Sequence, residues 1–312
     1  MPTIRAIDAG ELDAFARLDQ STPDLAGTIR ELWAEGSSRP DWTLVAEDGG
    51  TTVGRVALLA EPLGCGLPIR EGRLAALWVH ERTDAGARAV RALVERVSEL
   101  ARGEVPFIER RLNAERDGDI GFWQSALTDA GFSLFQEKRG FVWTDTGQEL
   151  PAPERLVLRS VRETGVDAYA AAMAATIPGT LDGNDQFYLE LCGPEGWGRE
   201  MVGALEEGDE DGWLLAYEPD GNRAGYVAVG RFEEGVGTIV HIGVAPERRG
   251  RGYVDELLRA ANRAARQRGY GSVLSDVDVA NAPMLAAMER NGHRAGVRPW
   301  HVWAYRREIP AR

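Results

Sequence analysis

The sequence predicts an α/β (α+β) protein of two tandem domains with one plan, each a mixed, mostly antiparallel sheet flanked by helices. Three observations carry this. The chain has 312 residues, more than one ordinary hydrophobic core accommodates. Its second half alternates strand-like and helix-like segments. An ordered set of segments also occurs twice, with a period near half the chain.

The repeat fixes the expected domains. LWVHERTDAGARAVRAL (77–93) resembles IGVAPERRGRGYVDELL (242–258), with Val79 over Val244 and Leu93 over Leu258 at an offset of 165. TLVAEDGGTTVGRVAL (43–58) resembles WLLAYEPDGNRAGYVAV (213–229), and FWQSALTDAGF (122–132) resembles PMLAAMERNGH (283–293). The join is expected near GQELPAPERLVLRS (147–160), where prolines and polar residues separate Trp143 from a new strand-like run. The domains are therefore expected at 1–150 and 151–312.

Within the second half, Leu214–Tyr217 and Gly225–Gly230 are expected as strands of a hairpin turned at EPDGN (218–222). Thr238–Val244 alternates β-branched and apolar residues and predicts a strand. Val254, Leu257, Leu258, Ala261 and Ala265 form one apolar stripe at helical spacing, with the helix stopping at Arg268–Gly269. SVLSDVDV (272–279) predicts another strand, Pro283–Asn291 a second helix closed by Gly292, and HVWAY (301–305) a late strand.

Composition narrows function. Hydrophobic residues make up 44% of the chain, enough for a sizeable core. No apolar run is long enough for a membrane span, and the start lacks the apolar core of a signal peptide, so a cytoplasmic protein is expected. The net charge of −13 opposes binding to nucleic acid or anionic membranes and favours cationic small molecules. Cys65 and Cys192 show no metal-ligand or CxxC spacing, so both are expected as reduced residues, with no metal site.

The segment RRGRGYVDELL (248–258) has the composition of an anion site. A strand enters a glycine-rich turn and a helix leaves it, so helix-start amides without intrahelical partners meet the positive end of the macrodipole. Gly250 and Gly252 let the backbone curl its amides inward, and Arg248, Arg249 and Arg251 add charge. A pyrophosphate is the expected guest. The turn lacks the Walker pattern, and it is not the dinucleotide fingerprint, because position 255 is Asp.

VAPERRGRGYV resembles the acyl-CoA loop of the GCN5-related N-acetyltransferases (GNATs), Gln/Arg-x-x-Gly-x-Gly/Ala after Val-x-Pro. Arg249, Gly252 and Val254 take the marked positions, Val254 departing from Gly/Ala. NAPMLAAMERNGH resembles that family's second motif through Asn281, Met284 and Gly292, with His293 replacing its Phe. With the repeat, the layout is similar to that of two-domain mycothiol synthases. The resemblance implies an N-acetyltransferase moving an acetyl group from acetyl-CoA (coenzyme A) to a primary amine. It implies that the backbone of Ile242, Gly243 and Val244 pairs with the pantetheine arm and polarises the thioester. Arg249, Gly250, Arg251, Gly252, Tyr253 and Val254 would wrap the pyrophosphate, and Asn281 and Met284 would flank the arm. Asn281 also suits a helix N-cap.

At the 165 offset the first half has Asp84 for Arg249, Ala85 for Gly250, Ala87 for Gly252 and Glu81 for Pro246. A carboxylate there repels phosphate, so a degenerate domain is expected, with one acyl-CoA site per chain in the second half.

The base is not identified by sequence. The positions where the family often places Glu and Tyr are Thr238 and Met288 here. His241 and Asp276 are the candidates, with Asp278, Tyr253 and Tyr270 as further ionisable groups. Strict alternation turns His241 to the face opposite Thr238 and Val240 unless a bulge intervenes. For a cationic acceptor, DGNDQFYLELCGPEGW (182–197) offers Asp182, Asp185 and Glu190 for an ammonium, and Tyr188 and Trp197 for stacking; an ordinary amphipathic helix is the competing expectation. A non-catalytic acyl-CoA-binding protein or sensor is the alternative function, and a regulator binding another nucleotide a third. The partners expected are a small-molecule amine and, at most, a second copy as a homodimer.

Overall fold

The computed structural model describes residues 2–18, 24–62, 67, 70–205, 208–296 and 301–309. The chain forms two compact units. One is built from residues up to Phe135, Leu67 excepted, together with the segment starting at Val302, and the other from Leu67 and Gln136 to His301.

In the first unit the strands are β1 (Thr3–Ala6), β2 (Thr43–Asp48), β3 (Thr51–Pro62), β4 (Arg70–Val79) and β5 (Phe107–Asn113), with helices α1 (Leu12–Arg17), α2 (Leu25–Glu35), α3 (Asp84–Leu100), α4 (Ala114–Asp117) and α5 (Ile120–Asp129). Successive strands β1 to β4 pair antiparallel, and β4 pairs parallel with β5 only at Gly72 and Arg73. The chain's last strand, residues 301–308, closes the sheet antiparallel against β5, from Val302 opposite Asn113 to Glu308 opposite Phe107. Val90, Leu93, Val94 and Val97 of α3 are fully buried, as a helical stripe facing a sheet requires.

The second unit follows the same plan. It contains most of β6 (Ser133–Thr144), then β7 (Val157–Ser160), α6 (Val161–Thr164), α7 (Val166–Thr176), α8 (Gly183–Val202), β8 (Trp213–Tyr217), β9 (Arg223–Glu233), β10 (Val236–Val244), α9 (Tyr253–Gln267), β11 (Ser272–Asp278), α10 (Ala282–Arg290) and β12 (Arg294–Ala295); the closing strand is β13 (His301–Glu308). Strands β7 to β10 pair antiparallel, β10 pairs parallel with β11, and β11 pairs antiparallel with β6. Among the described residues, each unit therefore has one parallel pair inside an otherwise antiparallel sheet, and a final strand that arrives from elsewhere in the sequence. Local patterning locates β13 as a strand and does not reveal its partner, because that pairing, like that of β6 with β11, is long-range.

The predicted elements of the second half occur, with their bounds within three residues. The EPDGN turn is closed by the Glu218 N–H donating to Asn222 O. Leu257, Leu258, Ala261 and Ala265 of α9 are fully buried against β9–β11, and each leucine contributes about 2 kcal/mol by burial. Cys192 on α8 is disulfide-bonded, which corrects the expectation of a reduced thiol. Cys65 lies outside the described residues. Among the described residues no helix is long and apolar enough to cross a membrane, and no metal-binding cluster is present.

Candidate active site

β10 and β11 are neighbours only at their starts. Val236, Gly237 and Thr238 pair with Ser272, Val273 and Leu274, after which the strands part. From there the facing edges, Ile239–Val244 and Ser275–Asp278, line a cavity of about 430 Å³. Backbone groups along a parted edge lack ladder partners on that side, so an extended guest can pair with them as an added strand.

The cavity continues onto the start of α9. Gly250 and Gly252 are left-handed, at φ +75° and +78°, a region that side chains other than glycine enter at a cost of about 1 kcal/mol. A Cβ at Gly250 would meet nothing within 4 Å, and one at Gly252 would approach nothing closer than 3.7 Å. Their backbone faces therefore stand open. Gly252 is the N-cap of α9 and supplies no side-chain cap, so first-turn amides remain available to a ligand.

The arginines are deployed differently from the expected ring of charge. Arg249 donates from Nε to Val244 O at 3.2 Å, and from its two terminal nitrogens to Gly179 O at 2.8 Å and Thr176 O at 2.7 Å, tying the end of β10 to the segment after α7. Arg248 donates to Glu218 at 2.8 Å, and Arg251 is exposed, 3.7 Å from the same carboxylate. Tyr253 donates its hydroxyl to Glu218 at 2.5 Å. That hydrogen bond holds the Glu218 carboxyl below its ordinary range and the tyrosine above its own.

Ile242, Gly243, Val244, Arg249, Gly250, Gly252, Tyr253, Val254, Asn281 and Met284 all line the cavity. Arg251 lines a shallower neighbouring recess with Arg155, Glu218 and Arg248. Asn281 caps α10, its side chain accepting from the Met284 N–H at 3.3 Å.

The remaining walls are acidic. Asp182 and Asp185 enter from α8, and Asp276 and Asp278 from β11, with Lys138 from β6 among them. Lys138 donates to Asp276 at 3.1 Å and stands 3.7 Å from Asp182. Gln136 donates to both Asp182, at 3.0 Å, and Asp278, at 2.9 Å. Burial pushes the Asp182 carboxyl up, opposed by Lys138 and reinforced by the Asp185 charge. Glu190 is exposed and Tyr188 and Trp197 are buried, and none of the three lines the cavity.

His241 lies in the cavity because β10 contains a bulge. Ile239 is opposite Val229 and His241 is opposite Ala228, leaving Val240 as the extra residue. The bulge breaks the alternation that would have turned His241 away. Its Nδ1 is 2.8 Å from the Tyr226 hydroxyl and its Nε2 is 3.1 Å from Asp185. Burial lowers the affinity of the ring for a proton, but the charge and hydrogen bond of Asp185 outweigh this and raise the pKa above 6.5. Thr238 lies in the paired part of β10, outside the cavity, whereas Met288 lines it with Ser275. Tyr270 packs on Gly237 away from the site. Lys138, Thr176 and Tyr226 were missed by sequence inspection; no motif marks them, since each reaches the cavity through strand pairing or helix packing.

The equivalent turn in the first unit is built differently. The connection from β4 to α3 is residues 80–83, against 245–252 between β10 and α9. Asp84–Ala87, aligned by sequence with the phosphate turn, are instead the first turn of α3. Thr83 caps that helix through the Gly86 N–H, and a Cβ on Gly86 would fall 1.9 Å from Glu81 O. Arg55 follows Gly54 as Tyr226 follows Gly225 in the matching hairpin. It is buried, donating to the Phe15, Ala16 and Ala76 carbonyls and lying over the Phe15 ring.

A splayed parallel pair, a bulged strand and an uncapped helix behind a glycine turn meet at this cavity. Residues 185–293, within the second unit, match the family model described as acetyltransferase (GNAT) family. The fold is shared across the whole chain with a GCN5-related N-acetyltransferase from Sphaerobacter thermophilus, at 19% identity and TM-score 0.61, covering 100% of this chain and 97% of that one. It is also shared with a tandem GNAT protein from the clavulanic acid biosynthesis pathway, at 16% identity and TM-score 0.52, covering 100% of both chains. A GCN5-related glucosamine N-acetyltransferase region of a fungal multi-domain β-N-acetylglucosaminidase matches at 18% identity and TM-score 0.62, over 98% of this chain and 38% of that longer one. Comparison with curated proteins gives no match.

Proposed function

We propose that the second unit is an N-acetyltransferase that moves an acetyl group from acetyl-CoA to the primary amine of a small cationic acceptor. The observation that carries this is the parting of β10 from β11 beyond Thr238 and Leu274, which opens a strand-wide slot leading to the start of α9. The slot fits a pantetheine arm, which can extend the sheet along Ile242–Val244. The open backbone of Gly250 and Gly252 and the uncapped amides of α9 fit a diphosphate. When bound, acetyl-CoA supplies an acetyl group activated as a thioester. The protein's part is to orient it, to offer a backbone N–H from the open edge of β10 where negative charge develops, and to hold the amine in line.

The acceptor side supports a cation. Asp182, Asp185, Asp276 and Asp278 face the cavity, with Lys138 as its partnered counter-charge. An alkyl ammonium with a pKa near ~10.4 must lose a proton before it attacks, so the site must also accept one. The first unit, with its turn shortened and its helix self-capped, has a packing role in this reading, and the chain holds one cofactor.

The test is release of free thiol from acetyl-CoA with a panel of primary amines, alongside calorimetry with coenzyme A. Turnover with an amine supports transfer. Tight binding without turnover on any amine supports a non-catalytic acyl-CoA sensor instead.

A further inference from the structure

Lysine and arginine are not used alike in this chain. Of its 36 lysines and arginines, Lys138 is the sole lysine. Either side chain supplies a positive charge for an ion pair, and elsewhere the chain uses arginine for it. What lysine adds is an amine that can lose a proton and attack a carbonyl carbon; a guanidinium keeps its proton. The one such amine lines the candidate active site.

Lys138 reaches the cavity from β6, where it lies opposite Asp278 of β11. Its Nζ donates to Asp276 at 3.1 Å and stands 3.7 Å from Asp182. Those acids are the ones that favour a cationic acceptor, so the ε-ammonium already stands where a substrate ammonium is expected. The Lys138 side chain is 24% exposed and that of Asp276 36%, so solvent screens the pair and holds it weakly. The flexible four-carbon stem can therefore swing. The amine and the slot along Ile242–Val244 open into one cavity of about 430 Å³.

We propose that Lys138 is a modification site, whose ε-amine takes the acetyl group of acetyl-CoA bound to the same chain when no acceptor amine occupies the cavity. The inference rests on the cofactor binding and transfer proposed above. One proton leaves the ε-ammonium for solvent, and the lone pair it uncovers attacks the thioester carbonyl carbon. The C–N bond forms, and the C–S bond breaks with its electron pair going to sulfur. A second nitrogen proton goes to that sulfur, giving free coenzyme A thiol and a neutral amide on Lys138.

The modification changes the acceptor wall. The amide no longer supplies the counter-charge of Asp276 and Asp182. The Lys138 charge opposes the burial that pushes the Asp182 carboxyl up, so that carboxyl rises further once the charge is gone.

The experiment incubates the full chain with acetyl-CoA and no amine, reads the intact mass, and maps the modified residue by fragmentation. Isotope-labelled lysine gives a single side-chain NMR signal, because the chain has one lysine. Calorimetry measures coenzyme A binding in parallel. The expected result is a gain of one acetyl group at Lys138. Its rate is expected to saturate with acetyl-CoA, to be independent of protein concentration, and to fall with excess coenzyme A. The lysine signal is expected to shift on binding of coenzyme A alone. Lys138→Arg keeps a charge beside Asp276 and is expected to gain no acetyl group. The inference is overturned if Lys138 stays unmodified while the chain acetylates an added primary amine. It is also overturned if modification rises linearly with acetyl-CoA and ignores coenzyme A, the mark of reaction in free solution, or if its rate grows with protein concentration, the mark of transfer between chains. Absence of coenzyme A binding sinks the proposed function and this inference together.

Discussion

His241 Nε2 lies 3.1 Å from an Asp185 oxygen, joining the middle of β10 to the first turn of α8. Because the folded histidine holds its proton more tightly than the unfolded one, the pair stabilises the fold fully below pH 6.5, and this contribution is lost as pH rises through the folded pKa. Thermal melts of the parent and Asp185→Asn should therefore differ most at acidic pH, around 6, and converge in mildly alkaline buffer. An equal difference at both ends would show that the pair does not titrate as assigned.

Gly252 should be the most sensitive position of the turn. Gly252→Val forces a branched side chain to φ +78° and places it in the cavity. Stability should fall by about 1–2 kcal/mol in urea melts, while coenzyme A binding weakens at least about tenfold. Gly252→Asn, which tolerates left-handed backbone, should keep stability and still bind more weakly.

Calorimetry with coenzyme A should give one site per chain. Thr83 already caps α3, and the shortened connection at 80–83 leaves no open turn before it. Two tight sites would require the first unit to rearrange.

Glu218 holds Arg248 and stands 3.7 Å from Arg251. Glu218→Gln frees their charge beside the glycine turn, so coenzyme A should bind about two- to fivefold more tightly at low salt, an advantage that disappears as ionic strength rises. Affinity measured across a salt series checks this.

Leu257 is fully buried between α9 and the sheet. Leu257→Ala should cost about 2–5 kcal/mol in denaturant melts, the range for truncating a packed leucine. Because the helix carries the anion-binding turn at its start, coenzyme A should partly restore the melting temperature.

The sequence by itself determined the repeat, the strand–turn–helix of residues 238–267 and the glycines of its turn, because each is a local pattern of spacing or backbone freedom. The stripe on α9 and the cap at Asn281 were legible for the same reason. Only the tertiary structure decided which strands close each sheet, since β6 and β13 pair with β11 and β5 across long stretches of chain. It also decided the site's chemistry. One extra residue, Val240, reverses the facing of His241, and alternation cannot foresee an insertion in the ladder. Tyr226, Lys138 and Asp185 come from three separate elements, and only folding brings them to one cavity.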